Sequence, residues 1–133
     1  VHAALLSVKI KYLPLWLNRR KEIAEIYHNG FSKINEIITP NFQDDRYSDI
    51  FTNYVIRAER RDKLKKYLDE NELVETMISW PRPTYKEPSM QPNNISLPET
   101  EKICKEVISL PCYPELTNDD VNAVIEAVKK FYI

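Results

Sequence analysis

Val1, Ala4, Leu5, Val8 and Tyr12 recur at intervals of three and four residues, the spacing that lines one side of a helix with apolar groups. The stripe begins at the first residue. No Ser, Thr, Asp or Asn stands before it to accept the first helical amides. The reading is a helix continuing from a preceding segment, with an apolar side expected to be exposed in this chain. Pro14 has no amide to donate and interrupts the helix near Leu13. A second helix is expected from about residue 15 to residue 32, with Trp16, Ile23 and Tyr27 on one face and Ile26 beside them. Arg19, Arg20 and Lys21 fall outside that face and read as its solvated side.

The period then changes. Residues 36–39 (EIIT) are partly β-branched and stopped by Pro40, which predicts a strand. Residues 41–49 are polar and loop-like. Residues 51–57 (FTNYVIR) form the strongest predicted strand. An amphipathic helix over 60–70 turns Leu64, Tyr67 and Leu68 inward, and residues 74–78 (VETMI) predict a third strand. The second and third strands, joined by a helix, suit a right-handed parallel crossover; the first two suit antiparallel pairing. Both arrangements stay open. Residues 80–98 have no period and hold five prolines, at 81, 83, 88, 92 and 98. A loop of that length in a small domain is usually functional or interfacial.

Ser96 and Glu99 resemble a capping box with Pro98 in the first turn, opening a helix with Ile103, Val107 and Leu110 inward. The run SLPCYP is a brief extended link. Thr117 and Asp120 cap a last helix with the stripe Val121, Val124, Ile125 and Val128, continuing into Phe131. The expected class is α+β, a small three- to four-stranded sheet covered by helices. It forms one domain over 1–133: leading helices over 1–32, strands and helix over 33–78, the proline-rich loop over 79–98 and C-terminal helices over 99–133.

Composition removes several functions. The chain has 133 residues, 19 Lys and Arg against 20 Asp and Glu, and so lacks the basic surplus that replaces phosphate counterions on nucleic acid. A single glycine, Gly30, cannot build a glycine-rich phosphate loop. Cys104 and Cys112 are too few for a disulfide framework, and with His2 and His28 they show no zinc spacing, so no metal is expected. No apolar run is long enough for a membrane helix, and no secretory signal is visible, which sets the expected location as the cytoplasm. The pairs Glu99/Glu101 and Asp119/Asp120 sit at helix starts, where the macrodipole favours negative charge. One cluster is left. Trp80, Arg82, Tyr85 and Lys86 put two cations and two aromatic rings on the proline loop, a set suited to an anionic or sugar-like ligand. The same loop also suits packing on another domain, and the two readings agree if the ligand sits at that interface.

Four stretches together resemble the C-terminal part of the DegT/DnrJ/StrS family, the pyridoxal-phosphate-dependent sugar aminotransferases. They are AALLSVKIKYLPLWLNRRKEIAEIY, FTNYVIRAERRDKLKKYL, VETMISWPRP and LPETEKICKEVISLPCYPELTNDDVNAVIEAVKKF, and they occur in family order. Where many members carry His-Tyr-Pro, this chain has Ser79, Trp80 and Pro81, with Tyr85 near the place of a second family His. The family's usual Gly before the third strand is absent, and Asn71 is the expected left-handed terminator of the preceding helix. The resemblance implies the small C-terminal domain of a fold-type I aminotransferase. In the parent protein an amino group would pass from glutamate to a nucleotide-linked keto-sugar. The cofactor, its Schiff-base lysine and the acid that holds its ring nitrogen would belong to a preceding N-terminal domain. On this reading the chain has no catalytic or cofactor-binding residue of its own, is inactive alone, and belongs to a homodimer in the parent. Two other readings are a family member that has lost transamination and a free-standing α+β interaction module.

Overall fold

The computed structural model describes residues 1–41, 48–90 and 95–132. Helix α1 (His2–Lys9) passes through a single 3-10 turn at Ile10–Tyr12 into α2 (Leu13–Phe31). Pro14 sits in the first turn of α2, where its missing amide costs nothing, so the break falls just before it as expected. Strand β1 (Ile37–Ile38), strand β2 (Tyr54–Ala58) and helix α3 (Arg61–Asn71) follow. After the proline loop come α4 (Pro98–Glu106), β3 (Val107–Leu110) and α5 (Asn118–Tyr132). The sheet order is β1-β2-β3, and both pairings are antiparallel.

Alternation along β2 sends Tyr54, Ile56 and Ala58 to one face and Val55 and Arg57 to the other. The register puts Leu110 opposite Tyr54 and Ile108 opposite Ile56, so β3 adds to the same buried face. Helices α2 and α5 cover it through Ile23, Ala24, Tyr27, Phe31, Val121 and Val128. Tyr27 stacks between Tyr54 and Phe31 at ring centroid distances of 4.9 and 5.7 Å, and its hydroxyl donates to the Pro111 carbonyl at 3.0 Å. Gly30 marks the closest approach of the two helices. A Cβ there would lie 2.5 Å from Ile125 Cδ1 and 2.9 Å from Ile125 Cγ2. The only glycine of the chain is therefore a packing residue.

Five sequence expectations need correction. First, residues 74–78 are not a strand. The Val74 amide donates to Leu68, and the Thr76 carbonyl accepts Lys65 Nζ at 2.8 Å, so only Met77 pairs, with Ser109. The parallel crossover goes with it. Second, Val107 and Leu110 lie in β3, not in a helix. The governing period there is two, with Ile108 and Leu110 inward. Third, no side chain caps α4; Leu97 occupies the cap position and Ser96 makes no capping bond. Fourth, the left-handed residue after α3 is Leu73 (φ 54°), and Asn71 stays helical. Fifth, the arginines of α2 are not a solvated side. Arg20 Nη1 donates to the carbonyls of Phe51, Thr52 and Cys112 at 3.0, 2.9 and 2.6 Å. Arg19 Nη2 donates to the Leu116 carbonyl at 2.7 Å and to Asn118 at 2.9 Å. These bonds use the carbonyls of residues 51 and 52, which delays β2 until Tyr54.

Other expectations hold. Thr117 and Asp120 cap α5 reciprocally, with the Asp120 amide on Thr117 Oγ1 and the Thr117 amide on Asp120 Oδ2, both at 3.1 Å. Both cysteines are buried free thiols. The apolar side of α1 is open. None of its residues is buried, and Leu5, Leu6, Val8, Ile10 and Leu15 are all exposed. Residues 42–47 of the expected polar loop, and Pro92 with its neighbours at 91–94, lie outside the described residues.

Two substitutions test this packing. Gly30→Ala raises helix propensity, yet it should destabilise the chain by about 1–3 kcal/mol, because overpacking against Ile125 outweighs a gain of about 1 kcal/mol. A rise in the urea midpoint would show that α2 and α5 do not meet there. Arg20→Ala should cost about 2–4 kcal/mol by stranding three carbonyls, whereas Lys21→Ala should stay within about 0.5 kcal/mol.

Candidate functional site

The second face of the sheet carries the site. Val55 and Arg57 of β2 stand opposite Ser109 and Val107 of β3, and Met77 pairs on the outer side of Ser109. Helix α4 crosses this face and buries Cys104, while Arg57 Nη2 holds Glu106 Oε2 at 2.7 Å. Between sheet, helix and the start of the proline loop lies a groove of about 310 Å³, walled by Val55, Met77, Trp80, Ile103 and Cys104.

The loop is held against α4 by one carboxylate. Residues Thr84–Lys86 form a 3-10 turn, with the Lys86 amide on the Pro83 carbonyl at 2.9 Å. Buried Pro83 anchors its start. From this turn the Tyr85 hydroxyl donates to Glu101 Oε1 at 2.6 Å, and Lys86 Nζ meets Glu101 Oε2 at 2.7 Å. The Leu97 amide donates back to Tyr85 Oη at 3.2 Å, satisfying a group at the start of α4 that no side-chain cap serves. Lys86 holds the Glu101 carboxyl below the usual carboxylate range, helped by the Tyr85 hydroxyl. The same carboxylate raises Lys86. Burial, then Glu101, raises the Tyr85 phenol.

The four loop residues singled out in the sequence therefore separate. Tyr85 and Lys86 converge on Glu101. Arg82 stays within the loop, its Nε 3.0 Å from Glu87 Oε1. Trp80, 63% exposed, forms the lip of the groove. Both cations are already paired, so an anion here would have to displace a carboxylate. The sequence reading missed two residues. Glu101 read as a favourable charge at a helix start, and nothing in its spacing points to a loop 15 residues earlier. Ser109 read as part of a link, because only the strand register turns it toward the groove.

A covalently held pyridoxal phosphate asks for a lysine amine able to lose its proton, an acid facing the ring nitrogen and a cradle of amides for the phosphate. The groove has no lysine and no acid in its lining, Lys86 beside it is held protonated, and Gly30 is filled against Ile125. The lining of this groove does not fit the cofactor.

The architecture is an α+β lobe: an antiparallel sheet with two long helices on one face, a short helix and a clamped loop on the other, and a leading helix with no buried residue. The family model of the DegT/DnrJ/EryC1/StrS aminotransferases matches residues 1–129. The chain belongs to that family. It is 36% identical to a pleiotropic regulatory protein of Geobacillus stearothermophilus, covering 99% of this chain and 36% of that protein. It is 33% identical to a dTDP-3-amino-3,6-dideoxy-alpha-D-galactopyranose transaminase of Aneurinibacillus thermoaerophilus, covering 98% and 36%. The crystal structure of DesV from S. venezuelae superposes with a TM-score of 0.90 at 30% identity, over 98% of this chain and 35% of that one. The chain thus spans about a third of the length of the relatives it matches. No helix among the described residues is long and apolar enough to cross a membrane.

The Glu101 clamp has a defined pH window. The lowered Glu101 contributes above its unfolded value, and that contribution is lost as pH falls through the folded one. The raised Lys86 contributes at lower pH, and its contribution is lost as pH rises through its folded value. The clamp is complete over roughly pH 5–10. Below about pH 4, or in Glu101→Gln at neutral pH, amide exchange at Lys86 and Glu87 should quicken several-fold with little change in the global unfolding midpoint. Unchanged exchange in the variant would remove Glu101 from this role.

Proposed function

We propose that this chain is the small C-terminal lobe of a pyridoxal-phosphate-dependent sugar aminotransferase. The parent protein moves an amino group from glutamate to a nucleotide-linked keto-sugar, and the lobe has no activity alone. The observation that carries this reading is the match to the family over nearly the whole chain, together with coverage of only about a third of each relative. The open apolar side of α1 supports it. A helix exposing Leu5, Leu6, Val8 and Ile10 asks for a covering body. That body is the preceding N-terminal domain, which also holds the cofactor, within a homodimer working in the cytoplasm. Trp80, Arg82, Tyr85 and Lys86 then form an edge of the substrate cleft. The Glu101 clamp fixes the height of that edge.

A second reading has a specific observation behind it. The 36% identical relative is called a pleiotropic regulatory protein, and another relative at 30% identity is called a sensory transduction protein. On that reading the parent keeps the fold and regulates rather than transaminates.

The full-length parent, loaded with pyridoxal phosphate, distinguishes them. With glutamate and a dTDP-linked keto-sugar it should release 2-oxoglutarate and an amino-sugar, whereas this chain alone should release neither. Turnover by the isolated chain would refute the lobe reading. A full-length protein inert toward glutamate would favour the regulatory one.

A further inference from the structure

Asn29 is the one asparagine of the chain followed by glycine; every other is followed by a residue whose side chain crowds its own amide. The packing of α2 on α5 imposes this neighbour, since a Cβ at Gly30 would meet Ile125 Cδ1 at 2.5 Å. The pair sits in the last turn of α2, which ends at Phe31. The Asn29 side chain is exposed and makes no hydrogen bond among the described residues, so its carboxamide is free to turn. The backbone around it is held. The Asn29 carbonyl accepts the Ser32 amide at 3.4 Å and the Ser32 hydroxyl at 2.8 Å. Phe31 is buried and stacked on Tyr27. Helical geometry aims the Gly30 amide back along the helix towards Ile26 and away from the Asn29 carboxamide.

We propose that Asn29 is a site of spontaneous covalent modification, converted to isoaspartate when the last turn of α2 opens. In the opened turn the Gly30 nitrogen, unhindered by any Cβ, attacks Asn29 Cγ. The N–Cγ bond forms, the Cγ–Nδ2 bond breaks, and ammonia leaves with the proton of the Gly30 amide. Water then opens the five-membered imide. Hydrolysis at the Asn29 main-chain carbonyl leaves the chain running through Cβ as isoaspartate, and hydrolysis at Cγ gives aspartate. The folded turn blocks the first step, because ring closure requires Asn29 to leave the helical conformation and Gly30 to withdraw from Ile125. Helix ends open locally at far lower cost than the whole domain, so the reaction proceeds through that opening. The isoaspartyl product carries one extra backbone carbon between Tyr27 and Phe31. Gly30 and Phe31 then cannot both return to Ile125 and Tyr27. The joint between α2 and α5 protects the site while it is closed, and the reaction marks irreversibly a chain in which it has opened.

The chain is incubated at neutral pH, and the peptide containing Asn29 is followed by mass spectrometry. Isoaspartate is counted by an isoaspartyl methyltransferase with labelled S-adenosylmethionine. The folded chain should react at Asn29 roughly 10-fold or more slowly than the same chain unfolded in guanidinium chloride. Ile125→Ala loosens the joint and should speed the folded-state reaction several-fold; if it does not fold, Ile125→Val takes its place with a smaller rise in the same direction. In guanidinium chloride, Gly30→Ala should react roughly 10-fold or more slowly than the unsubstituted chain, although it is the less stable of the two when folded. Chain carrying isoaspartate at position 29 should unfold at a lower denaturant concentration than unreacted chain. Equal rates in the folded and the unfolded chain overturn the proposal. So does a folded-state rate that neither Ile125 variant changes.

Discussion

The close packing of α2 on α5 above one face of a three-stranded sheet is the constraint from which the rest follows. It is set at Gly30, where the absence of a Cβ lets Ile125 sit directly on the helix backbone. That contact brings Tyr27 over Tyr54, and the buried face of β2 is thereby chosen. Once Tyr54, Ile56 and Ala58 point inward, Val55 and Arg57 must point outward. The second face, with its groove and its clamped loop, is the consequence of a choice made on the first.

Cationic side chains secure the chain between these layers. Arg20 gathers the carbonyls that precede β2 and follow β3, which lie at the same end of this antiparallel pair, so that end is tied to α2. Arg61, almost fully buried, holds the Val107 carbonyl at 2.8 Å where β3 begins. Lys65 holds the Thr76 carbonyl beside the sheet edge. The bonds from Arg20 and Lys65 occupy the carbonyls of residues 51, 52 and 76, at places where the sequence predicts more strand. The near-neutral balance of charges hides this arrangement, because the arginines are engaged with backbone carbonyls as well as with carboxylates.

The chain belongs to the DegT/DnrJ/EryC1/StrS aminotransferase family and spans about a third of the length of the relatives it matches. The relatives are about three times as long, and the leading helix shows its apolar residues to solvent on more than one side. A contiguous apolar surface of that kind marks an interaction site. The chain contributes a loop clamped to α4 by Glu101 and a groove with no charged side chain in its lining. Division of labour between two bodies is the physical content of the proposed function.

The α+β class, the break before Pro14, the α5 cap at Thr117 and Asp120 and the stripe from Val121 to Val128 were legible in the residues, because each depends on neighbours within one or two turns. The open side of α1 was legible for the same reason. The family was legible from four ordered stretches. Beyond reach were the contacts between distant segments: Arg20 on residues 51 and 112, Glu101 on Tyr85 and Lys86, Ser109 turned to the groove by its pairing with Met77. Local periodicity records which side of an element is apolar. Only tertiary structure decides which carbonyl a long cationic side chain reaches, and whether a stretch such as residues 74–78 finds a neighbour free to pair with it.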